Sequence, residues 1–404
     1  MSLGLTDRLL AHIEQSGRAP LPPTTVRSVK TFLLDSLGVA LAGTRVPQLT
    51  AVRAVAEHWG RGSAARIWGF GERVPLPTAA GLNAYLIHNQ EWDCVHEPAV
   101  VHPMAVIVAT LLAWCEAHAP VDGERLMRAC STAVDVATTL GCAARGRVRF
   151  FRPAICGALG AVAGLAQLAR CDRTETRSAL GCCYSFVCGT MQAHIEGSPV
   201  LPMQIGWNAR SALDALALAQ QGIVGPGDFL EGQHGFFALY EPDWDPAPFA
   251  NLGLRAQITE LSHKPYPSGR ATHGGVDGVL TLQREHGFKP EHIAAIRVFA
   301  PPLVRQLVDR PARPQMAPAY ARLCAPYVIA TALLTGTVGV DDFAPPQLAA
   351  PERLALAARV QLLPDGNPAP NALAPQRVEV RLRDGRELAI DLPAVLGAPG
   401  RPPS

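Results

Sequence analysis

The chain is poor in lysine, in aromatic side chains and in charge of either sign. Among 36 basic residues only Lys30, Lys264 and Lys289 are lysines. Arginine does nearly all other cationic work, so a retained lysine marks a place where a compact, tunable ammonium serves better than a guanidinium. Aromatics make up 6% and charged residues 17% of the 404 residues, against 48% hydrophobic, and the formal net charge is +2. With no basic stripe and no arginine cluster interleaved with aromatics, the composition argues against nucleic acid as a partner. The ten cysteines include the adjacent Cys182 and Cys183 but form no CxxC pair, which disfavours a zinc knuckle or a thioredoxin-type site and leaves free, buried thiols as the expectation. No apolar run reaches the roughly 18 uncharged residues of a spanning helix, and residues 1–10 lack the basic and apolar regions of a signal peptide. No membrane segment and a cytosolic location are therefore expected. No GxGxxG or GxxxxGK[ST] pattern precedes a helix, so no nucleotide cofactor is inferred.

What the chain does contain is helix. In Thr25–Gly43, residues Val26, Val29, Phe32, Leu33 and Leu37 recur at helical spacing and the run stops at a glycine. Similar patterns cover Leu49–Trp59, Ala79–Ile87, Met104–Ala117, Gly123–Gly141, Ala154–Leu168, Thr174–Gly189 and Trp207–Gly222, with Thr174 as a candidate N-cap and Pro226–Phe229 as the start of another helix. Period-two alternation is almost absent up to residue 258, which predicts an all-α domain over residues 1–258. Beyond Ser262 the pattern changes. Ile293–Phe299 alternates as a strand, and Arg377–Leu382 and Glu387–Leu392 flank Asp384-Gly385, a strong hairpin signal. Ala319–Leu334 and Pro351–Val360 read as helices between them. The fold class is thus mainly α: a large all-α helical domain followed by a smaller α+β domain over 259–395, with 396–404 a tail disordered by composition.

Two segments concentrate groups able to do chemistry. His88–Pro103, HNQEWDCVHEPAVVHP, holds three histidines, two glutamates and an aspartate between stretches that read as buried helix. Burying acids and imidazoles is costly unless each is paired or used; the bland alternative is a solvated loop. If the preceding helix persists, His88 and Glu91 share a face, and a carboxylate beside an imidazole can act as base or fix its tautomer. The spacing is not HExxH, and no recognised ligand spacing joins His88, Glu91, His96 and His102, so no metal is expected. The second segment, SHKPYPSGRATH, gathers Lys264, Arg270 and His273 within ten residues. Such a set suits a polycarboxylate, although a solvated linker would also be polar. Tyr327, inside the apolar CAPYVIATALL, reads by periodicity as a core residue with one satisfied hydroxyl.

DSLGVALAG, EWD followed by HP, FFRPAICGALGA, GW-ARSALDALALA, FLEGQHGFF, KPYPSGRATH and APYVIATALLTGTVGVDDF occur in an order that resembles the MmgE/PrpD family over residues 5–395. That family includes 2-methylcitrate dehydratase, cis-aconitate decarboxylase and iminodisuccinate epimerase. The resemblance implies a helical domain with an α+β lid and the active site in the cleft between them, usually a homodimer, no organic cofactor, and proton movement next to a carboxylate of a small di- or tricarboxylate. It points to Glu91, Asp93, His102, Lys264 and Tyr327 as catalytic. It also shows two departures. Phe151-Arg152-Pro153 stands where many members read Phe-His-Pro, which suggests Arg152 as a carboxylate clamp. Leu201–Trp207, containing Gln204, lacks the lysine and histidine often found there. Arg152, Gln204, Arg270 and His273 are then the expected substrate-binding residues. The activity expected is that of a lyase, a hydro-lyase or decarboxylase; the alternatives are an epimerase or isomerase, or a non-catalytic carboxylate-binding homologue.

Overall fold

The structure, a computed structural model, describes residues 4–402. It divides into two compact units: the first runs to Asn89 and includes Asp93–Met191 and Val200–Leu261; the second takes Gln90–Trp92, Gln192–Pro199 and the chain from Ser262 onward. The sequence-derived boundary at 258/259 lies close to the last of these divisions, but the two short excursions are invisible to pattern reading because they are set by long-range contacts.

The first unit is a pack of helices, chiefly Leu5–Ser16, Pro23–Gly43, Leu76–His88, Pro103–Ala117, Gly123–Ala143, Arg152–Ala169, Arg173–Phe186 and Leu201–Gln220. Small residues let the helix backbones touch. A Cβ on Gly160 would stand 2.4 Å from the Ala133 carbonyl oxygen, and one on Gly206 would stand 2.5 Å from that of Gly81, so these positions exclude any larger residue. The Arg152–Ala169 helix is long and apolar enough to cross a membrane, yet 89% of it is buried inside the unit; it is the core helix of this pack. Leu201–Gln220 ends as predicted, with Gly222 at φ 83° and the Ile223 N–H reaching back to the Leu218 carbonyl.

Three local expectations are corrected. The Arg173–Phe186 helix is capped by Asp172, not Thr174: the Asp172 carboxylate accepts the Glu175 N–H at 2.8 Å and the Glu175 side chain returns to the Asp172 N–H at 3.0 Å, a reciprocal pair that a threonine two positions later cannot make. Pro226–Phe229 forms turns; Gly225 and Pro226 press against the backbone at Gly181, where even a Cβ would meet the Pro226 carbonyl oxygen at 2.4 Å, and the girth of a helix does not fit. The all-α unit also holds a small antiparallel pair, β1 (Ala65–Arg66) with β2 (Arg73–Val74), too short for its alternation to register.

In the second unit β3 (Ile293–Ala300), β4 (Val360–Pro364), β5 (Gln376–Leu382) and β6 (Glu387–Leu392) form one sheet in the order β4-β3-β5-β6, with β3 parallel to β4 and antiparallel to β5. The β5–β6 hairpin turns at Asp384-Gly385, Gly385 taking φ 94° as predicted. β4 begins where the sequence reading ended a helix, at Val360. The His273–His286 helix lies on this sheet through Gly278, whose Cβ would meet Val378 at 2.4 Å. Residues 396–402, expected to belong to the tail, carry Arg401, whose guanidinium pairs with Asp277; residues 403–404 lie outside the described residues.

Candidate active site

His88–Pro103 is not a solvated loop. His88 is 1%, Asp93 0% and His96 2% exposed. The Leu76–His88 helix stops at His88, and Asn89 ties the exit to the Gly43 carbonyl at 3.0 Å. Because Glu91 then takes φ 53°, the helix does not persist and His88 and Glu91 share no face, contrary to expectation. His88 meets Asp93 instead.

In the first unit Asp93 lies between two imidazoles. His88 Nδ1 is 2.9 and 3.1 Å from its two carboxylate oxygens, and His102 Nδ1 is 3.3 Å from Oδ1. The two rings stand edge to face at 5.3 Å, with His88 also against Phe151 at 5.6 Å. An ionised carboxylate only accepts, so the His88 Nδ1 bonded to it carries the proton and His88 Nε2 presents a lone pair, while His102 Nδ1 stands within ion-pair distance of the same carboxylate. The His102 side chain is 14% exposed against 1% for His88, which leaves His102 as the ring that can reach a ligand. His102 sits just before Pro103, the first residue of the next helix, so its backbone is fixed by that start. The side-chain ligand atoms of His88, Asp93 and His102 all lie within 4.8 Å of one another, close enough to hold a metal ion; the His88–Asp93 contact at 2.9 Å is also that of a charge-assisted hydrogen bond. His88, which the sequence paired with Glu91, is the residue this cluster adds, with Asp93 as its partner. The available signal was an imidazole at the last turn of a helix with an aspartate five residues on.

His96 is different. The Ala99 N–H donates to its Nδ1 at 3.2 Å, so the proton is on Nε2, which faces Gln257 Oε1 at 3.2 Å. Burial lowers it to about 4. It is a neutral brace for the tight turn in which His96 and Val101 bond backbone to backbone.

Two expected substrate ligands in this unit are committed elsewhere. Arg152 is fully buried and grips Glu241 with Nε at 2.5 Å and Nη2 at 2.9 Å, while Nη2 also donates to the Gly146 carbonyl. Nε and Nη2 of Arg152 are thus taken up within the protein by Glu241 and the Gly146 carbonyl, while Nη1 is buried with no hydrogen-bond partner among the described residues. Burial pushes the Glu241 carboxyl up, against the pull of Arg152. Gln204 spends both ends of its amide on Thr190, accepting from the N–H at 2.6 Å and donating to the carbonyl at 3.2 Å; it holds a loop and is likewise taken up within the protein.

The second unit contains the other half of the expected set. Lys264, 5% exposed, donates through Nζ to the Glu91 carbonyl at 2.9 Å and lies 3.4 Å from the Glu91 carboxylate. The Trp92 indole N–H donates to the Lys264 carbonyl at 2.9 Å, and Arg322 binds Gln90. Thus all three residues of the Gln90–Trp92 excursion are pinned by side-chain bonds. Glu91 sits in the left-handed region where non-glycine residues are uncommon, and its carbonyl faces the ammonium. Sequence missed Trp92, for which no spacing rule gives a signal. The KPYP segment is buried and is no linker.

Arg270 and His273 do not face outward. Arg270 donates to the carbonyls of Leu396 at 2.6 Å and Val395 at 3.2 Å, fastening the C-terminal segment. His273, 1% exposed, places Nε2 3.3 Å from the Ser268 carbonyl, and burial together with Arg270 and Lys264 holds it well below the usual histidine range. These two expected substrate ligands are bracing residues. The Tyr327 hydroxyl, fully buried, donates to the Asp342 carbonyl at 2.6 Å, with Arg353 3.4 Å away and itself paired to Asp342 at 2.7 Å. That is the satisfied core tyrosine its periodicity described, and it corrects the catalytic role taken from the resemblance.

The cysteines are free, and burial raises the thiols of Cys115 to about 11 and Cys130 to about 12, so these two stay protonated and unreactive near neutrality.

Comparison with known proteins fits this picture. The cis-aconitate decarboxylase of Mus musculus is 27% identical over 380 residues, covering 89% of this chain and 76% of the relative. That of Homo sapiens is 26% identical over 382 residues, 90% and 78%. The cis-aconitate decarboxylase-like protein oryM of Aspergillus oryzae is 25% identical over 366 residues, 84% and 76%. Residues 7–248 match the MmgE/PrpD N-terminal domain and residues 266–404 the MmgE/PrpD C-terminal domain, so the chain belongs to the MmgE/PrpD family.

Proposed function

We propose that this protein is a lyase that decarboxylates or dehydrates a small di- or tricarboxylate of the cis-aconitate type without an organic cofactor. The observation that carries the reading is the His88–Asp93–His102 cluster, in which one buried carboxylate bonds one imidazole and lies at ion-pair distance from a second. The support for decarboxylation is the company of relatives named cis-aconitate decarboxylase. In the proposed reaction His102 Nε2 exchanges a proton with the carbon next to a substrate carboxylate, and Asp93 compensates the positive charge that then appears on the ring. In decarboxylation His102 starts as the imidazolium: the C–C bond to the departing carboxylate breaks, its electron pair passes through the conjugated double bond to the remaining carboxylate as an enolate, and Nε2 gives its proton to carbon, the ring regaining a proton from solvent before the next turnover. In dehydration the neutral ring takes the proton, the C–H pair forms the double bond, and the leaving hydroxide takes that proton from the imidazolium and departs as water. Within the second unit Glu91 holds the Lys264 ammonium through its carbonyl and carboxylate.

The test is a panel of di- and tricarboxylates followed by NMR in deuterated water. Carbon dioxide or water release from cis-aconitate or a methyl-substituted hydroxy-tricarboxylate, lost in His102→Ala and in Lys264→Ala, is the expected result. Solvent deuterium at a stereocentre with neither product released would replace the lyase reading by an epimerase. Saturable binding without turnover of any acid would replace it by a carboxylate-binding homologue.

A further inference from the structure

A cavity of about 820 Å³ in the first unit is lined by residues of the Leu5–Ser16, Pro23–Gly43 and Gly123–Ala143 helices and of the segment 253–259, and by none of His88, Asp93 or His102. Its size falls within that of small-molecule sites. Its walls are mixed, more apolar than polar, with several polar groups turned into it. Thr25 is 2% and Ser131 3% exposed; both line the cavity, and among the described residues neither hydroxyl has a hydrogen-bond partner in the protein. Both oxygens keep some access to this hollow, so their hydrogen-bonding capacity is met by whatever polar group occupies it. Beside them lies a buried pair, His12 Nε2 at 3.1 Å from Asp135 Oδ2, whose Oδ1 accepts the Gln257 N–H at 2.7 Å. At the rim Arg255 is paired with Glu260, whereas Arg27 has no acidic partner among the described residues. Hydroxyls and a hydrogen-bonding dyad within, and one unneutralised guanidinium at the mouth, match a single ligand chemistry.

We propose that this cavity is a second binding site, for a small polyol with one anionic group, its hydroxyls against Thr25, Ser131 and the His12–Asp135 pair and its anion at Arg27. The inference does not rest on the lyase reading. A sugar acid and a sugar phosphate share this chemistry, and gluconate and glycerol 3-phosphate serve as probes for the two, with glycerol and acetate carrying one half each. Titration calorimetry on the full chain should show one anionic polyol binding saturably at one site, at least about tenfold more tightly than either half, because a guanidinium–anion contact is worth at least one factor of ten. Ser131→Leu, which fills the hollow, should abolish that binding; Arg27→Gln should weaken it about tenfold; His102→Ala should leave it intact. Absence of saturable binding by both probes overturns the proposal, as does binding that survives Ser131→Leu and disappears in His102→Ala. Should Ser131→Leu lack a cooperative melting transition, Thr25→Val, which keeps the shape and removes a hydroxyl, takes its place, and unchanged affinity in both Thr25→Val and Arg27→Gln overturns the proposal equally.

Discussion

Glu241 and Asp93 are both buried carboxylates of the first unit, 3% and 0% exposed, and they are used in opposite ways. Glu241 has both oxygens taken by Arg152; the two charges are matched within the pair. Asp93 is shared between two weakly basic rings, one of which retains some access to solvent. The first arrangement gives nothing to a substrate, while the second leaves a ring nitrogen able to trade a proton. Burial of an acid is therefore not by itself a mark of catalysis; what decides is whether its partners are saturated by it.

The comparison breaks most sharply at Asp93. Asp93→Asn keeps the shape but favours the wrong imidazole tautomers, and turnover should fall by about 10²–10⁴ while thermal unfolding changes little beside that; activity within threefold of the parent would remove the cluster from the proton-transfer role. Arg152→Ala should do the reverse. It leaves Glu241 buried without its cation, at about 3–5 kcal/mol of stability, read from denaturant midpoints. The paired replacement Arg152→Met with Glu241→Leu should recover most of that loss, since no uncompensated charge remains.

His96 offers a third contrast, a buried imidazole with no acid at its side-chain contacts. Its unfolded form takes a proton near 6.5 and its folded form only near 4, so the unfolded state binds more protons in that window and stability falls as pH drops through it. The loss should reach about 3 kcal/mol; urea unfolding at pH 7 and pH 5 should show less of this slope in His96→Gln than in the parent. The smallest effect is expected at Tyr327. Tyr327→Phe removes one hydrogen bond to the Asp342 carbonyl, about 1 kcal/mol of stability, with kcat unchanged; a hundredfold fall in kcat would restore the tyrosine to the reaction.

These contrasts show where reading the chain succeeded. The helices around the acid and histidine segment, the burial of its ionisable groups and the β5–β6 hairpin were legible, because periodicity and turn chemistry are local and because dense ionisable groups in an apolar chain are conspicuous. The roles suggested for Arg152, Gln204, Arg270, His273 and Tyr327 were not sound guides. Each of these side chains can bind a substrate in principle, and each makes hydrogen bonds inside the protein, most of them to groups that the local sequence pattern does not bring near.

The sequence by itself determined the helical first region, the strands of the second, the family, and a short list of residues able to move protons or hold carboxylates. Only the tertiary structure decided which of them are already spent. The reason is that a charge is neutralised by whatever lies within about 4 Å of it, and those neighbours come from far along the chain: Glu241 is 89 residues from Arg152 and Glu91 is 173 from Lys264. Spacing reports what one turn or one strand brings together, and pairing across such distances is written only in the fold.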